Sequence, residues 1–211
     1  QFEDLGIIKK IMKLTEIVKY ELEVKPILGI CIIGACITRL LSVLFSSYLI
    51  LWIQQFAKNG ILRDRDQGKE IYINMMLYSV VLSSFIFPFV GKFCDTYSPR
   101  NTVPFAFLFR CSTTYMFWLL DRPDTVYAYA VCVMMIIGTI IENISIDSIF
   151  NKNLPKETRG ILNGVYSFAG QCGILIYSFL GGWMFDNIGP KSPFILIGFL
   201  DFAFAILVIV K

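Results

Sequence analysis

Five ionisable side chains interrupt apolar stretches of this 211-residue chain: Arg39, Arg110, Glu142, Asp147 and Asp201. A lone charge in the middle of a hydrocarbon layer costs roughly 2.5–3.5 kcal/mol on insertion scales, so each needs an opposite charge or a water-filled cavity. Groups of this kind either clamp helices together as buried ion pairs or line a path along which a solute exchanges partners. Hydroxyls and an amide accompany some of them. Ser42 and Ser46 share a narrow helical arc with Arg39, and Thr139 and Asn143 share a wider one with Glu142 and Asp147. Two facing polar stripes describe a solute path better than a lipid-facing surface.

Catalytic chemistry finds little here. The chain has no histidine, so serine–histidine–aspartate catalysis and histidine zinc sites are absent. None of the six cysteines forms a C-x-x-C pair; Cys31, Cys36, Cys111, Cys132 and Cys172 lie in apolar runs, Cys94 is expected in a short polar loop, and all read as small fillers. The P-loop, potassium-filter and repeated-arginine voltage-sensor patterns are missing too. No enzyme, metal site or cofactor is expected. A net charge of +3 without a basic, aromatic-interleaved cluster gives no reason to expect nucleic acid.

The elements that position these charges are apolar helices. Hydrophobic residues make up 56% of the chain and charged ones 17%, against roughly 25% charged in a soluble domain. Apolar runs at about 27–56, 71–90, 101–120, 126–150, 160–184 and 193–210 each suffice to cross ~30 Å of hydrocarbon. They lack the alternation of barrel strands, so the expected fold is an all-α membrane protein with six transmembrane helices over residues 26–211. Residues 1–25 are expected to form an amphipathic interfacial or linker helix. Ile7, Ile8, Ile11, Leu14, Val18 and Leu22 take one face, and Lys9, Lys10, Lys13, Glu16 and Lys19 the other.

With six spans, Lys9, Lys10, Lys13, Lys19, Lys25, Lys92, Arg100, Lys152, Lys156, Arg159 and Lys211 fall on one side. Lys58, Arg63, Arg65, Lys69, Arg122 and Lys191 fall on the other. The excess of basic residues makes the side of residues 1–25 cytoplasmic, or the matrix side in an organelle.

Depth along the spans suggests partners. Arg39 lies about 20 Å and Glu142 about 12 Å from the same face, and Arg110 and Asp201 lie at nearly one level. An Arg39–Glu142 pair and a structural Arg110–Asp201 pair are therefore expected. Gly160-x₃-Gly164, at the start of a glycine-rich fifth span, allows a close helix approach.

An internal repeat organises the chain. Gly91-Lys-Phe-Cys-Asp95-Thr-Tyr-Ser-Pro99-Arg100 and Gly182-Trp-Met-Phe-Asp186-Asn-Ile-Gly-Pro190-Lys191 are both Gly-x₃-Asp-x₃-Pro followed by a cation, 91 residues apart. Each closes the second span of a three-helix set. Three being odd, the copies emerge on opposite faces, which is the signature of a 3+3 inverted repeat. An acid at a helix C-terminus is disfavoured by that helix's dipole, so Asp95 is better placed against a neighbouring helix N-terminus or Arg100, a clasp that opens and closes as a gate.

At these residues the chain resembles the major facilitator superfamily of secondary transporters, whose loop signature is Gly-x₃-Asp-Arg-x-Gly-Arg-Arg. Gly91, Asp95 and Arg100 match it; Thr96, Ser98 and Pro99 depart from it. Leu154-Pro-Lys-Glu-Thr-Arg159-Gly160 and Gly181-Gly182-x₃-Asp186-x₂-Gly189-Pro190 resemble the fourth to sixth helices of that family's C-terminal half. The resemblance implies a twelve-helix transporter of which this chain supplies the C-terminal six, with the first and fourth spans of the half lining the central cavity. It implies alternating access for a small polar or anionic solute. Arg39, Ser42, Ser46, Thr139, Glu142, Asn143 and Asp147 are the expected solute or coupling residues. The expected partners are the bilayer, the solute, and an N-terminal six-helix half or other membrane subunits. Gln1 in place of Met is compatible with chain upstream. The alternative is a non-transporting subunit that keeps the half-fold as scaffold in a larger membrane complex.

Overall fold

The computed structural model describes residues 7–210, except the side chains at positions 7, 8, 10, 11, 95, 99 and 100. The described chain is helical with short connections. Helix α1 spans Ile7–Val24 and α2 spans Pro26–Lys58. They are followed by α3 (Arg65–Thr96), α4 (Pro99–Trp118), α5 (Val126–Asn153), α6 (Arg159–Asn187) and α7 (Ser192–Val210). Lys25 is extended (φ −129°, ψ 81°), as a residue before proline prefers, and Pro26 starts α2 at a position that needs no N–H donor.

The helices outrun the apolar runs because polar caps begin them inside the flanking segments. Asp64 accepts from the Gln67 amide at 2.8 Å, and Gln67 reaches back to the Arg63 amide at 2.7 Å. Thr125 accepts from the Ala128 amide at 3.2 Å. Cys94 belongs to α3 and is buried, its thiol 3.4 Å from Ser145 Oγ, so the expected loop position is corrected.

Among the described residues, five helices are long and apolar enough to cross a membrane: α2, α3 over Arg65–Cys94, α5, α6 and α7. The remaining expected span, α4, is not among them. It is 20 residues long, about 30 Å, but it is diluted by Arg110, Ser112, Thr113 and Thr114. Arg110, Thr113 and Thr114 are buried, since α4 packs between α5 and α7. Phe117 stacks on Phe194 at 3.8 Å, and Phe107 meets Phe204 at 4.5 Å. The hydroxyls of Thr113 and Thr114 donate to the Arg110 carbonyl at 2.8 and 2.9 Å, so neither is stranded in the core.

Helices α2 and α6 approach each other closely. A Cβ on Gly173 would stand 2.4 Å from the Cys36 carbonyl oxygen, and one on Gly181 would stand 2.9 Å from the Tyr48 hydroxyl. Tyr48 Oη donates to the Ser178 carbonyl at 2.8 Å across the same contact. A Cβ on Gly160 or Gly164 would meet nothing within 4 Å, so the close approach falls about 2.5 to 5 turns further along α6 than expected. Helix α1 leans on the end of the bundle through Val18 and Leu22, and Glu21 accepts from the Thr158 hydroxyl at 3.0 Å. Residues 1–6 of the expected amphipathic segment lie outside the described residues.

Candidate functional site

Three helices converge on one cavity of about 560 Å³. Helix α2 contributes Thr38, Arg39, Leu41, Ser42, Phe45 and Ser46; α3 contributes Tyr72 and Met76; α5 contributes Ile136, Thr139, Ile140, Asn143 and Asp147. Six of the seven expected solute residues therefore share one wall-to-wall space. The α5 set recurs at three- and four-residue spacing, which puts it on one face of that helix.

The α2 wall is irregular where it meets the cavity. Regular helix stops at Thr38, resumes over Leu40–Val43, passes through a π-helical turn at Leu44–Tyr48, and ends as Leu49–Lys58. The Ser42 amide bonds to the Arg39 carbonyl three residues back at 3.3 Å, and the Ser42 hydroxyl takes the same oxygen at 2.7 Å. Back-bonding hydroxyls and π-turns both bend a helix, and π-turns concentrate where function needs a distortion. Regular helix is interrupted at Arg39 itself. Its stem runs over Gly170 of α6, where a Cβ would stand 3.0 Å from Arg39 Cγ. Arg39 is exposed and has no ion-pair partner among the described residues. Asp147 accepts from Tyr166 Oη of α6 at 2.7 Å.

Glu142 is not in the cavity, and the expected Arg39–Glu142 pair is corrected. Each residue of a helix advances about 100°, so Glu142 is turned away from Asn143 and toward α4. It is fully buried there, in ion-pair contact with Arg110. Gly138 clears the way: a Cβ on it would stand 3.2 Å from Arg110 Cβ. Arg110 also pairs with Asp201 of α7, its Nε donating to Oδ2 at 2.7 Å and its Nη2 to Oδ1. One guanidinium thus joins three helices through two carboxylates, all three residues at 0% exposure. The Arg110–Asp201 pair is the one expected from sequence, and only the addition of Glu142 is missed, because depth along a helix says nothing about rotation around it.

Tyr72 and Tyr166 are site residues that sequence reading also misses. Their signal is weak: a tyrosine inside an apolar run needs a hydroxyl partner, but the sequence does not say which.

The two motif copies straddle equivalent junctions, α3 to α4 and α6 to α7. In the second copy Lys191 Nζ donates to the Trp118 carbonyl at the end of α4, at 2.9 Å. In the first, Gly91 has nothing within 4 Å, and the side chains of Asp95 and Arg100 lie outside the described residues.

A family model, the Major Facilitator Superfamily, matches residues 40–211. No curated protein and no solved structure matches the chain.

Proposed function

The chain belongs to the Major Facilitator Superfamily, and on that premise we propose that it forms the C-terminal half of a secondary active transporter moving a small polar or anionic solute. As a family member with several membrane-length apolar helices it is an integral, multi-pass membrane protein of transporter type. The observation that carries the finer reading is the α2–α3–α5 cavity. A cation without a carboxylate partner among the described residues, a carboxylate, hydroxyls and an amide face one space between apolar helix segments.

In this reading α2 to α7 are two inverted sets of three spans, with α4 crossing as the third. Its 20 residues are long enough, and its charge is neutralised by α5 and α7 rather than by water. The α1 helix, the α3–α4 turn and the α5–α6 connection lie on the cytoplasmic side, which the lysine and arginine bias supports. Lys25 Nζ, donating to the Asn153 carbonyl at 2.9 Å, ties the start of α2 to the end of α5 at that level. Arg39, Ser42, Ser46, Thr139, Asn143 and Asp147 receive the solute. The Arg110, Glu142 and Asp201 triad holds α4, α5 and α7 together as one body. Gly91, Asp95 and Arg100 form a gate at the α3–α4 turn.

The test is a comparison of metabolite pools in cells carrying the full-length protein, its Arg39→Ala variant at equal membrane abundance, or neither. Transport predicts at least one solute whose cellular level depends on the protein and on Arg39. Identical pools in all three would contradict transport and favour a subunit that keeps the fold as scaffold.

A further inference from the structure

We propose that the α2–α3–α5 cavity takes a zwitterion: a small solute with an anionic group for Arg39 and a protonated amine for the wall that ends at Asp147. This rests on the transport reading and narrows it to a substrate class.

The argument is a count of donors and acceptors. A hydroxyl has one proton to give. Ser42 Oγ gives its proton to the Arg39 carbonyl at 2.7 Å, Thr139 Oγ1 to Met135 at 2.8 Å, and Tyr72 Oη to Phe45 at 3.1 Å. Asn143 Nδ2 spends a hydrogen on the Thr139 carbonyl at 2.9 Å. The hydroxyls therefore turn lone pairs to the cavity, and Asn143 keeps its carbonyl oxygen and one N–H. Asp147 takes one hydrogen bond, from Tyr166 on Oδ1, and its Oδ2 is left over. Arg39 alone brings a fork of N–H donors, five on a guanidinium.

Such a lining selects by sign. A plain anion satisfies Arg39 but turns its remainder toward acceptors and the Asp147 carboxylate. A plain cation satisfies Asp147 and meets Arg39. An uncharged solute supplies a counter-charge to neither Arg39 nor Asp147. A zwitterion answers both ends, and Arg39 and Asp147 together carry no net charge. The two residues do not pair with each other. Their backbones differ in height by about 12 Å, measured from the level where Lys25 meets Asn153. The space of about 560 Å³ suits a solute of amino-acid size with water around it.

The experiment measures ligand-induced thermal shift on the purified full chain, with glycine, β-alanine, 4-aminobutyrate and 6-aminohexanoate as zwitterionic probes of increasing charge separation. Butyrate and butylamine are the single-charge controls. At least one zwitterion should protect where neither control does. Its half-maximal concentration should rise about 10- to 100-fold in Arg39→Gln and in Asp147→Asn, the loss of a charged hydrogen bond. Asp147→Asn should also gain a response to butyrate, because the repelling carboxylate is gone. If Asp147→Asn melts early without ligand, Asn143→Leu removes an acceptor without touching Asp147 and should weaken the same zwitterion. Equal protection by butyrate, or protection by no probe, overturns the proposal. Protection by a zwitterion alongside unchanged metabolite pools would leave the substrate class standing and remove transport.

Discussion

Replacing Arg110 with methionine keeps most of the side chain's volume and deletes its charge, which isolates the electrostatic role of the triad. Glu142 and Asp201, both fully buried, would then face apolar helix surfaces with no counter-ion. Breaking a buried pair by removing one partner costs about 3–5 kcal/mol. Two carboxylates depend on this one guanidinium, so Arg110→Met should cost at least that, against a total stability of about 5–15 kcal/mol for a folded domain. The two carboxylates are not held alike. Asp201 receives hydrogen bonds from Nε and Nη2, whereas Oε1 of Glu142 has no partner among the described residues. Glu142→Leu leaves a one-to-one Arg110–Asp201 pair and should fall within about 1 kcal/mol of the natural protein, or exceed it. Asp201→Leu should be clearly worse, and the triple variant Arg110→Met, Glu142→Leu, Asp201→Leu should recover most of the loss because no charge remains to be matched. The assay is thermal unfolding in detergent, read as the monodisperse fraction after heating. An Arg110→Met protein as stable as the triple variant, or a Glu142→Leu protein as damaged as Asp201→Leu, would refute the reasoning.

Three further outcomes follow from the geometry. Gly173→Ala should destabilise by about 1–3 kcal/mol, since its Cβ would strike the Cys36 backbone, whereas Gly164→Ala, with open space around it, should be neutral or mildly stabilising; equal melting temperatures would contradict the α2–α6 contact. Arg39→Ala and Glu142→Ala should add in stability, because the structure puts them in different clusters; a coupling energy above about 0.5 kcal/mol in the double variant would mean that they touch. Asp95→Asn should slow transport with little change in solute affinity, and loss of equilibrium binding with unaltered conformational exchange would count against a gate.

The legible part of this protein is what one coordinate along a helix can carry. Runs of apolar residues locate the helices, and three- and four-residue spacing puts Thr139, Asn143 and Asp147 on one face. The illegible part needs a second coordinate. Arg39 and Glu142 look like partners by depth, yet Glu142 faces α4, and Arg110 gathers both acids. Gly160-x₃-Gly164 has the spacing of a tight crossing, yet the crossing is made by Gly173 and Gly181, whose neighbours Cys36 and Tyr48 are far away in sequence. The π-turn at Leu44–Tyr48 leaves no compositional trace, because it arises from which carbonyl each amide finds and not from residue type.

The account stands most directly on whether the cavity is wet. Single cysteines at positions 42, 46, 139 and 143, in a chain whose six native cysteines are replaced by serine or alanine, should react with a membrane-impermeant, water-soluble thiol reagent. A cysteine at position 142 should not, being sealed among α4, α5 and α7. If the cavity positions resist the aqueous reagent and react only with a lipid-soluble one, the polar face meets hydrocarbon or a partner subunit, and the solute path does not exist.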